Sequence, residues 1–135
     1  MPKKLGKIKY IEGIGRRKES TARVRVYPTR KTGEFIVNQK NYQDYFPLEK
    51  YQQIVTAPLK LINRKINVSV KVKGGGITGQ AEAIRLGLAR ALVKLNEAWR
   101  PEFRKLGLLT RDPRMVERKK YGLRKARRAR QWRKR

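Results

Sequence analysis

Ile66-Asn67-Val68-Ser69-Val70-Lys71-Val72-Lys73-Gly74-Gly75-Gly76-Ile77-Thr78-Gly79-Gln80 is the stretch on which the fold turns. As far as Lys73 it alternates β-branched and polar residues. That is the period of a strand with one buried face and one face left to solvent or a partner. Three glycines end the alternation and a helical period follows. Ile84, Leu88, Ala91, Leu92 and Leu95 fall on one face, with Arg85, Arg90 and Lys94 largely off that stripe. Thr78 is a candidate N-cap, and Glu82 is placed in the first turn, where the helix dipole favours an acid.

Upstream, Ile8 to Ile14 reads as a strand whose end is weakened and bent by Gly13 and Gly15. Thr21 to Tyr27 alternates in period two, so Val24 and Val26 should face a core while Arg23 and Arg25 face out. Pro28 ends that strand, Thr32-Gly33 reads as a turn, and Phe35-Ile36-Val37 is a third strand. Tyr42 to Tyr45 forms a short helical element. Leu48 to Leu59 holds a helix carrying Tyr51, Ile54, Val55 and Leu59, with Pro58 expected to end or kink it. Downstream, Pro101 interrupts, and Glu102 to Leu106 adds a short helix ended by Gly107. Strands followed by a strand that feeds a long amphipathic helix predict an α+β domain with helices packed on a sheet.

Apolar periodicity stops near Leu109. A globular domain is therefore expected over residues 1–110, with a basic tail over 111–135. The tail holds thirteen Lys or Arg against Asp112 and Glu117, a net +11 of the chain's +27. Met115, Val116, Tyr121, Leu123 and Trp132 are too sparse to form a core or a membrane-binding stripe. Such a segment repels itself unless a polyanion lies within it, and it should order on binding RNA. Trp132 has no core to join and has two readings: a disordered aromatic, or one that stacks on a base or sugar once the tail is bound.

The body is basic as well, and two clusters stand out: Arg16-Arg17-Lys18 and the face carrying Arg23 and Arg25. Arg presents a planar fork that grips phosphate oxygens in pairs and stacks on bases. The chain has neither Cys nor His, which removes disulfides, thiolate metal sites and the usual general acid–base residue. Its ten acids form no tight sequence cluster for catalytic metal ions, so no enzyme, cofactor or small-molecule substrate is expected. Glu82, Glu97 and Glu102 are assigned to helix electrostatics.

No apolar run approaches the about 20 residues of a membrane span. Met1-Pro2-Lys3-Lys4 leads into no hydrophobic signal-type stretch, so a cytoplasmic protein is expected. The Gly74-Gly75-Gly76 junction has two readings: a phosphate nest at a helix start, or a tight connection needing positive φ or close packing. It matches neither a Walker loop nor a dinucleotide fingerprint. Charge alone admits a nucleoid-type DNA-packaging protein as readily as an RNA-binding one.

Gly74-Gly75-Gly76, then Gly79-Gln80, with Ala83, Gly87, Ala89, Arg90, Ala91 and Leu92 following, is similar to the signature of the ninth small-subunit ribosomal protein family. Gly15-Arg16-Arg17-Lys18 with Ala22-Arg23-Val24 resembles that family's N-terminal hairpin. Asp112-Pro113-Arg114, Glu117-Arg118-Lys119-Lys120, Gly122 and the final Lys134-Arg135 resemble its tail in the bacterial form. The resemblance implies a mixed sheet and a place in the head of the small subunit, on ribosomal RNA and beside other head proteins. It also implies a tail that reaches the anticodon stem-loop of peptidyl-site tRNA.

On that basis Arg16, Arg17, Lys18, Arg23 and Arg25 are expected to bind ribosomal RNA, along with the tail residues Arg111, Arg114, Arg118, Lys119, Lys120, Arg124, Lys125, Arg127, Arg128 and Arg130. Arg133, Lys134 and Arg135 are expected to contact tRNA. Within the tail, Arg111 to Arg130 reads as tether and Gln131 to Arg135 as tip. Arg130, Trp132 and Arg133 depart from the family pattern, which favours Pro, Phe or Tyr, and Ser at those places.

Overall fold

The computed structural model describes residues 10–28, 32–115, 117–129 and 131. Ile8, Lys9, Arg130, Trp132, Arg133, Lys134 and Arg135, on which sequence expectations were placed, lie outside the described residues. The elements run β1 (Ile11–Arg17), β2 (Ser20–Tyr27), β3 (Phe35–Val37), β4 (Lys40–Asn41), α1 (Tyr42–Tyr45), α2 (Glu49–Ile62), β5 (Asn67–Lys73), α3 (Ile77–Leu95), a 3-10 turn (Glu97–Trp99) and α4 (Arg100–Lys105). The five strands form one sheet in the order β1-β2-β5-β3-β4. All neighbours are antiparallel except β3 and β5, so the sheet is mixed and the fold α+β.

Strand pairing aligns the apolar positions in rows across the sheet. Gly13 sits opposite Val24, and Val24 opposite Val70; Gly15 sits opposite Ala22, and Ala22 opposite Val72. These residues share one face with Val26, Val68, Phe35 and Val37, and all are buried. Helix α3 lies on that face against β1 and β2, with α2 packed beside it. Its Ala83, Ile84, Leu88, Ala91 and Leu92 have no exposed surface. Each large aliphatic side chain buried there contributes about 1.5–3 kcal/mol relative to exposure.

Several local expectations fail for tertiary reasons. Gly13 and Gly15 neither weaken nor end β1, which runs on through Arg16 and Arg17. They are the places where α3 touches it. A Cβ on Gly13 would lie 2.2 Å from the Gly87 carbonyl oxygen, and one on Gly15 would lie 1.8 Å from that of Ala83. Pro58 does not end α2: it is buried within the helix, which continues to Ile62 and stops at Asn63 in the left-handed conformation (φ 50). Thr78 does not cap α3. Gly76 is the N-cap residue, Thr78 lies inside the helix bonded to the Tyr51 hydroxyl, and Glu82 falls beyond the first turn. Pro101 belongs to the first turn of α4 and starts that helix, its missing N–H being one that would have no partner there.

Two further elements shape the uncovered side of the sheet. The β3–β4 hairpin turns through Asn38 and Gln39, both at positive φ (48 and 69). Asn38 exchanges two side-chain hydrogen bonds with the Val72 backbone, each 2.9 Å, and so extends β3 along β5. At the other edge, Arg90 and Lys94 donate to the outward carbonyls of Ile14 and Glu12, each at 2.9 Å. Both cations thus occupy a strand edge that would otherwise be open to pairing.

The glycine contacts give a direct stability test. Gly15→Ala and Gly87→Ala should each destabilise the domain by about 3 kcal/mol or more, because the added methyl meets backbone that cannot yield. Gly76→Ala, with nothing within 4 Å of the new Cβ, should cost under about 1 kcal/mol. Urea unfolding midpoints of the three variants check this.

Candidate nucleic-acid interface

Because the strand pleat sends successive side chains to opposite faces, the residues between the core positions line the other side of the sheet. Among the described residues no helix covers it. Arg25 stands between Glu12 and Ser69, Arg23 between Ile14 and Lys71, and Thr21 between Arg16 and Lys73. Five cations, Arg16, Arg23, Arg25, Lys71 and Lys73, therefore share this face with one acid, Glu12. Ile14 and Ile36 are 44% and 37% exposed on it, which is unusual for isoleucine on a folded sheet. Tyr10 carries the Arg25 guanidinium 4.5 Å from its ring centre and packs against Tyr27 at 6.1 Å. The turn at Asn38 and Gln39 raises one rim, leaving a hollow floored by Ser69, Lys71 and Lys73.

Glu12 orders part of this surface. It accepts from Arg23 at 2.9 Å and lies 3.8 Å from Arg25. The Arg23 hydrogen bond holds its carboxyl below the usual range, so the pair is intact at neutral pH and weakens only as pH falls through that lowered value. Lys71 and Lys73 have no acidic partner among the described residues and are exposed. Sequence reasoning found the solvated side of β5 but did not count these two lysines as site residues. Their alternation with Val70 and Val72 was the available signal.

The same pleat separates the two neighbouring arginines expected to bind RNA together. Arg16 joins the open face. Arg17 points the other way, and its side chain is only 11% exposed. It pairs with Glu82 on α3, lies 3.3 Å from Asp112, and donates to the Arg114 carbonyl oxygen at 3.0 Å. Arg114 in turn holds Asp112 through a 2.6 Å ion pair, which keeps the Asp112 carboxyl far below its ordinary range. Glu82 is thus a partner of Arg17 more than a helix-end charge. The cluster fastens the beginning of the tail to β1 and α3. Lys18, exposed and at positive φ (52), sits at the hairpin turn beside it.

The glycine–glutamine junction is a packing knot. Gly74 and Gly75 have φ of 80 and 65. A Cβ on Gly75 would lie 2.1 Å from the Ser20 hydroxyl, and one on Gly79 would lie 2.9 Å from it. Ser20 donates to the Gly74 carbonyl at 2.9 Å, Gln80 donates to the same oxygen at 3.1 Å, and Tyr45 donates to the Gln80 side chain at 2.6 Å. These contacts support the close-packing reading: the motif joins β2, the junction and α1 at the start of α3.

Beyond Lys105 the described residues contain no further helix or strand except a bridge between Leu123 and Ala129. Arg111, Arg118, Lys119, Arg124, Lys125 and Arg128 are exposed and have no acidic partner among the described residues. Lys120 and Arg127 both pair with Glu117, at 2.6 and 2.9 Å. Glu97 pairs with Arg100 through two hydrogen bonds. No three metal-ligating side chains gather among the described residues.

Replacing Arg17 by Ala should loosen the tail's first residues and leave Glu82 half-buried without its partner. The expected loss is about 1–3 kcal/mol of stability. Hydrogen exchange should accelerate at residues 111–115 while β2 and β5 stay protected. Exchange unchanged at 111–115 would show that the cluster does not hold the tail.

Residues 15–135 match the family model described as ribosomal protein S9/S16. The match spans the hairpin, the knot, α3 and the whole tail, so those parts form one recognised unit. The chain belongs to the ribosomal protein S9/S16 family, whose members are structural components of the translating ribonucleoprotein with ribosomal RNA and ribosomal proteins as partners.

Proposed function

We propose that the chain is a cytoplasmic structural protein of the small ribosomal subunit, seated in the subunit head and lying beside other head proteins. Ribosomal RNA is bound by the open sheet face, through Arg16, Arg23, Arg25, Lys71 and Lys73, and by the tail. The observation that carries this is the uncovered face itself: five cations, one acid and two exposed isoleucines on the side of the sheet away from the core, with Arg23, Lys71 and Lys73 lining a hollow in it. Phosphate contacts position such a protein on folded RNA and make its affinity strongly salt-dependent.

The tail acts as a second reader. Fastened at Asp112 and Arg114, it begins at a fixed point on the domain. The 21 residues beyond Arg114 can reach at most roughly 75 Å when extended. Arg111, Arg114, Arg118, Lys119, Lys120, Arg124, Lys125, Arg127, Arg128 and Arg130 form the RNA-bound tether in this reading. Arg133, Lys134 and Arg135 form the tip that meets the anticodon stem-loop of peptidyl-site tRNA. The reading needs no catalytic residue, cofactor, membrane or small-molecule substrate.

Lys71→Glu with Lys73→Glu should weaken binding to small-subunit ribosomal RNA at least tenfold and flatten its salt dependence. The unfolding midpoint should stay within about 0.5 kcal/mol, since both side chains are exposed. Unchanged RNA affinity, or displacement of the RNA by equal duplex DNA, would count against this interface. Removing Lys134 and Arg135 should leave the chain co-sedimenting with the small subunit through a high-salt wash while weakening peptidyl-site tRNA binding. Loss of co-sedimentation with normal tRNA binding would reverse the assignment of tether and tip.

A further inference from the structure

At the C-terminal end of α3, far from the tail's attachment, lies a hollow that the sheet face and the tail do not use. Its volume is ≈ 560 Å³, within the ~300–1,000 Å³ typical of small-ligand sites. Trp99 forms one wall, Pro28, Ile66 and Leu95 supply apolar surface, and Arg64 and Lys65 stand at the side. No acid lines it.

The turn that carries Trp99 is fixed by its own hydrogen bonds, and the Trp99 side chain packs partly against the core. Asn96 accepts from the Ala98 amide at 3.0 Å through its side chain and from the Trp99 amide at 3.2 Å through its carbonyl. Glu97 and Arg100 brace the same turn. Trp99 is half-buried, leaving part of the ring accessible. On the facing segment, Asn63 stops α2 in the left-handed conformation, and its amide donates to the Leu59 carbonyl at 3.1 Å. Arg64 and Lys65 therefore leave the helix directly toward β5, both exposed. The Arg64 guanidinium centre lies 5.4 Å from the Trp99 ring centre.

An arginine over an indole is ordinary surface packing when it stands alone. Here it stands at a concave site with a second cation, a lining of mixed polar and apolar side chains and no acid. A braced aromatic face beside two phosphate-seeking cations is the chemistry that holds an unpaired nucleotide. We propose that this hollow takes one unpaired ribonucleotide, its base stacked on Trp99 in place of the Arg64 guanidinium that lies over the ring, and its flanking phosphates held by Lys65 and the displaced Arg64. The inference rests on the reading of the chain as an RNA-binding protein and adds a separate point of attachment. Along α3 it lies roughly 20 Å from the Arg17 cluster, the rise of the helix from Glu82 to Leu95. Two attachments that far apart on one rigid domain, engaged by the same RNA, raise the affinity of both.

The chain has two tryptophans, so Trp132→Phe leaves Trp99 as the only one. In that variant, single-stranded penta-adenylate should quench Trp99 emission, and a blunt RNA duplex of similar length should not. Arg64→Ser with Lys65→Ser should weaken the quenching at least tenfold without altering the fold. Trp99→Leu should lower pentamer affinity by about fivefold to a hundredfold. Trp99 emission that ignores the pentamer, or quenching indifferent to the loss of Arg64 and Lys65, would overturn the site. If the chain still binds small-subunit ribosomal RNA in that case, the function proposed above stands. If no form of the chain binds that RNA, the underlying reading fails with it.

Discussion

The contact between β1 and α3 at Gly13, Gly15 and Gly87 is the constraint on which the rest of the molecule depends. Three residues without side chains let strand and helix backbones touch: a Cβ on Gly87 would lie 2.8 Å from Val24 and 2.9 Å from the Gly15 amide. At that separation α3 lies against the first two strands with Ala83 and Ala91 facing the glycines. Larger side chains at these places would lift the helix and open the core. The close approach also brings Arg17 within reach of Glu82, and Arg90 and Lys94 within reach of the β1 edge. One packing decision thus fixes the core, protects the sheet edge and positions the tail's attachment.

The sheet's second face follows from the first. With α2 and α3 on one side, the alternation of β1, β2 and β5 delivers its charged residues to the other, where there is no core to join. The result is a domain with a dry face that makes it stable and a basic face left open. Arg16 and Arg17 show how little separates the two roles. They are consecutive and chemically identical, yet one lies among the cations of the open face and the other, 11% exposed, closes an ion cluster. Charge density alone would have grouped them.

Much of this was legible along the chain, and the exceptions share a cause. The strands at Thr21 to Tyr27 and Ile66 to Lys73, the long helix after the glycines and the basic tail declared themselves through period and charge. Thr78, Glu82, Pro58, Gly13 and Gly15 were misread because local rules assign each a local job: cap, dipole partner, breaker, bend. In the folded chain each answers to a neighbour distant in sequence. Thr78 meets Tyr51, Glu82 meets Arg17, and the two glycines meet α3. Pro58 is tolerated because it is itself buried in a helix that packs against α3 and carries on past the missing hydrogen bond. Lys71 and Lys73 were visible as the polar half of an alternating strand. Their partnership with Arg23 and Arg16 needed the pairing of β5 with β2, which no local window contains.

By itself the sequence determined the fold class, the extent of the basic tail and the need for a polyanionic partner, because periodicity, composition and charge are properties of short windows. It also carried the glycine–glutamine signature that marks the family. Only the tertiary structure decided what that signature does: a knot of Ser20, Gly74, Gln80 and Tyr45 in which any added Cβ on Gly75 would collide. Only the tertiary structure separated Arg17 from Arg16, joined the tail to the domain, and set Trp99 beside Arg64 across 35 residues of chain. The physical reason is the same in each case. Which face a side chain takes is set by the pleat, but what it meets there is set by strand order and helix packing, and those are settled by contacts between segments far apart in the sequence.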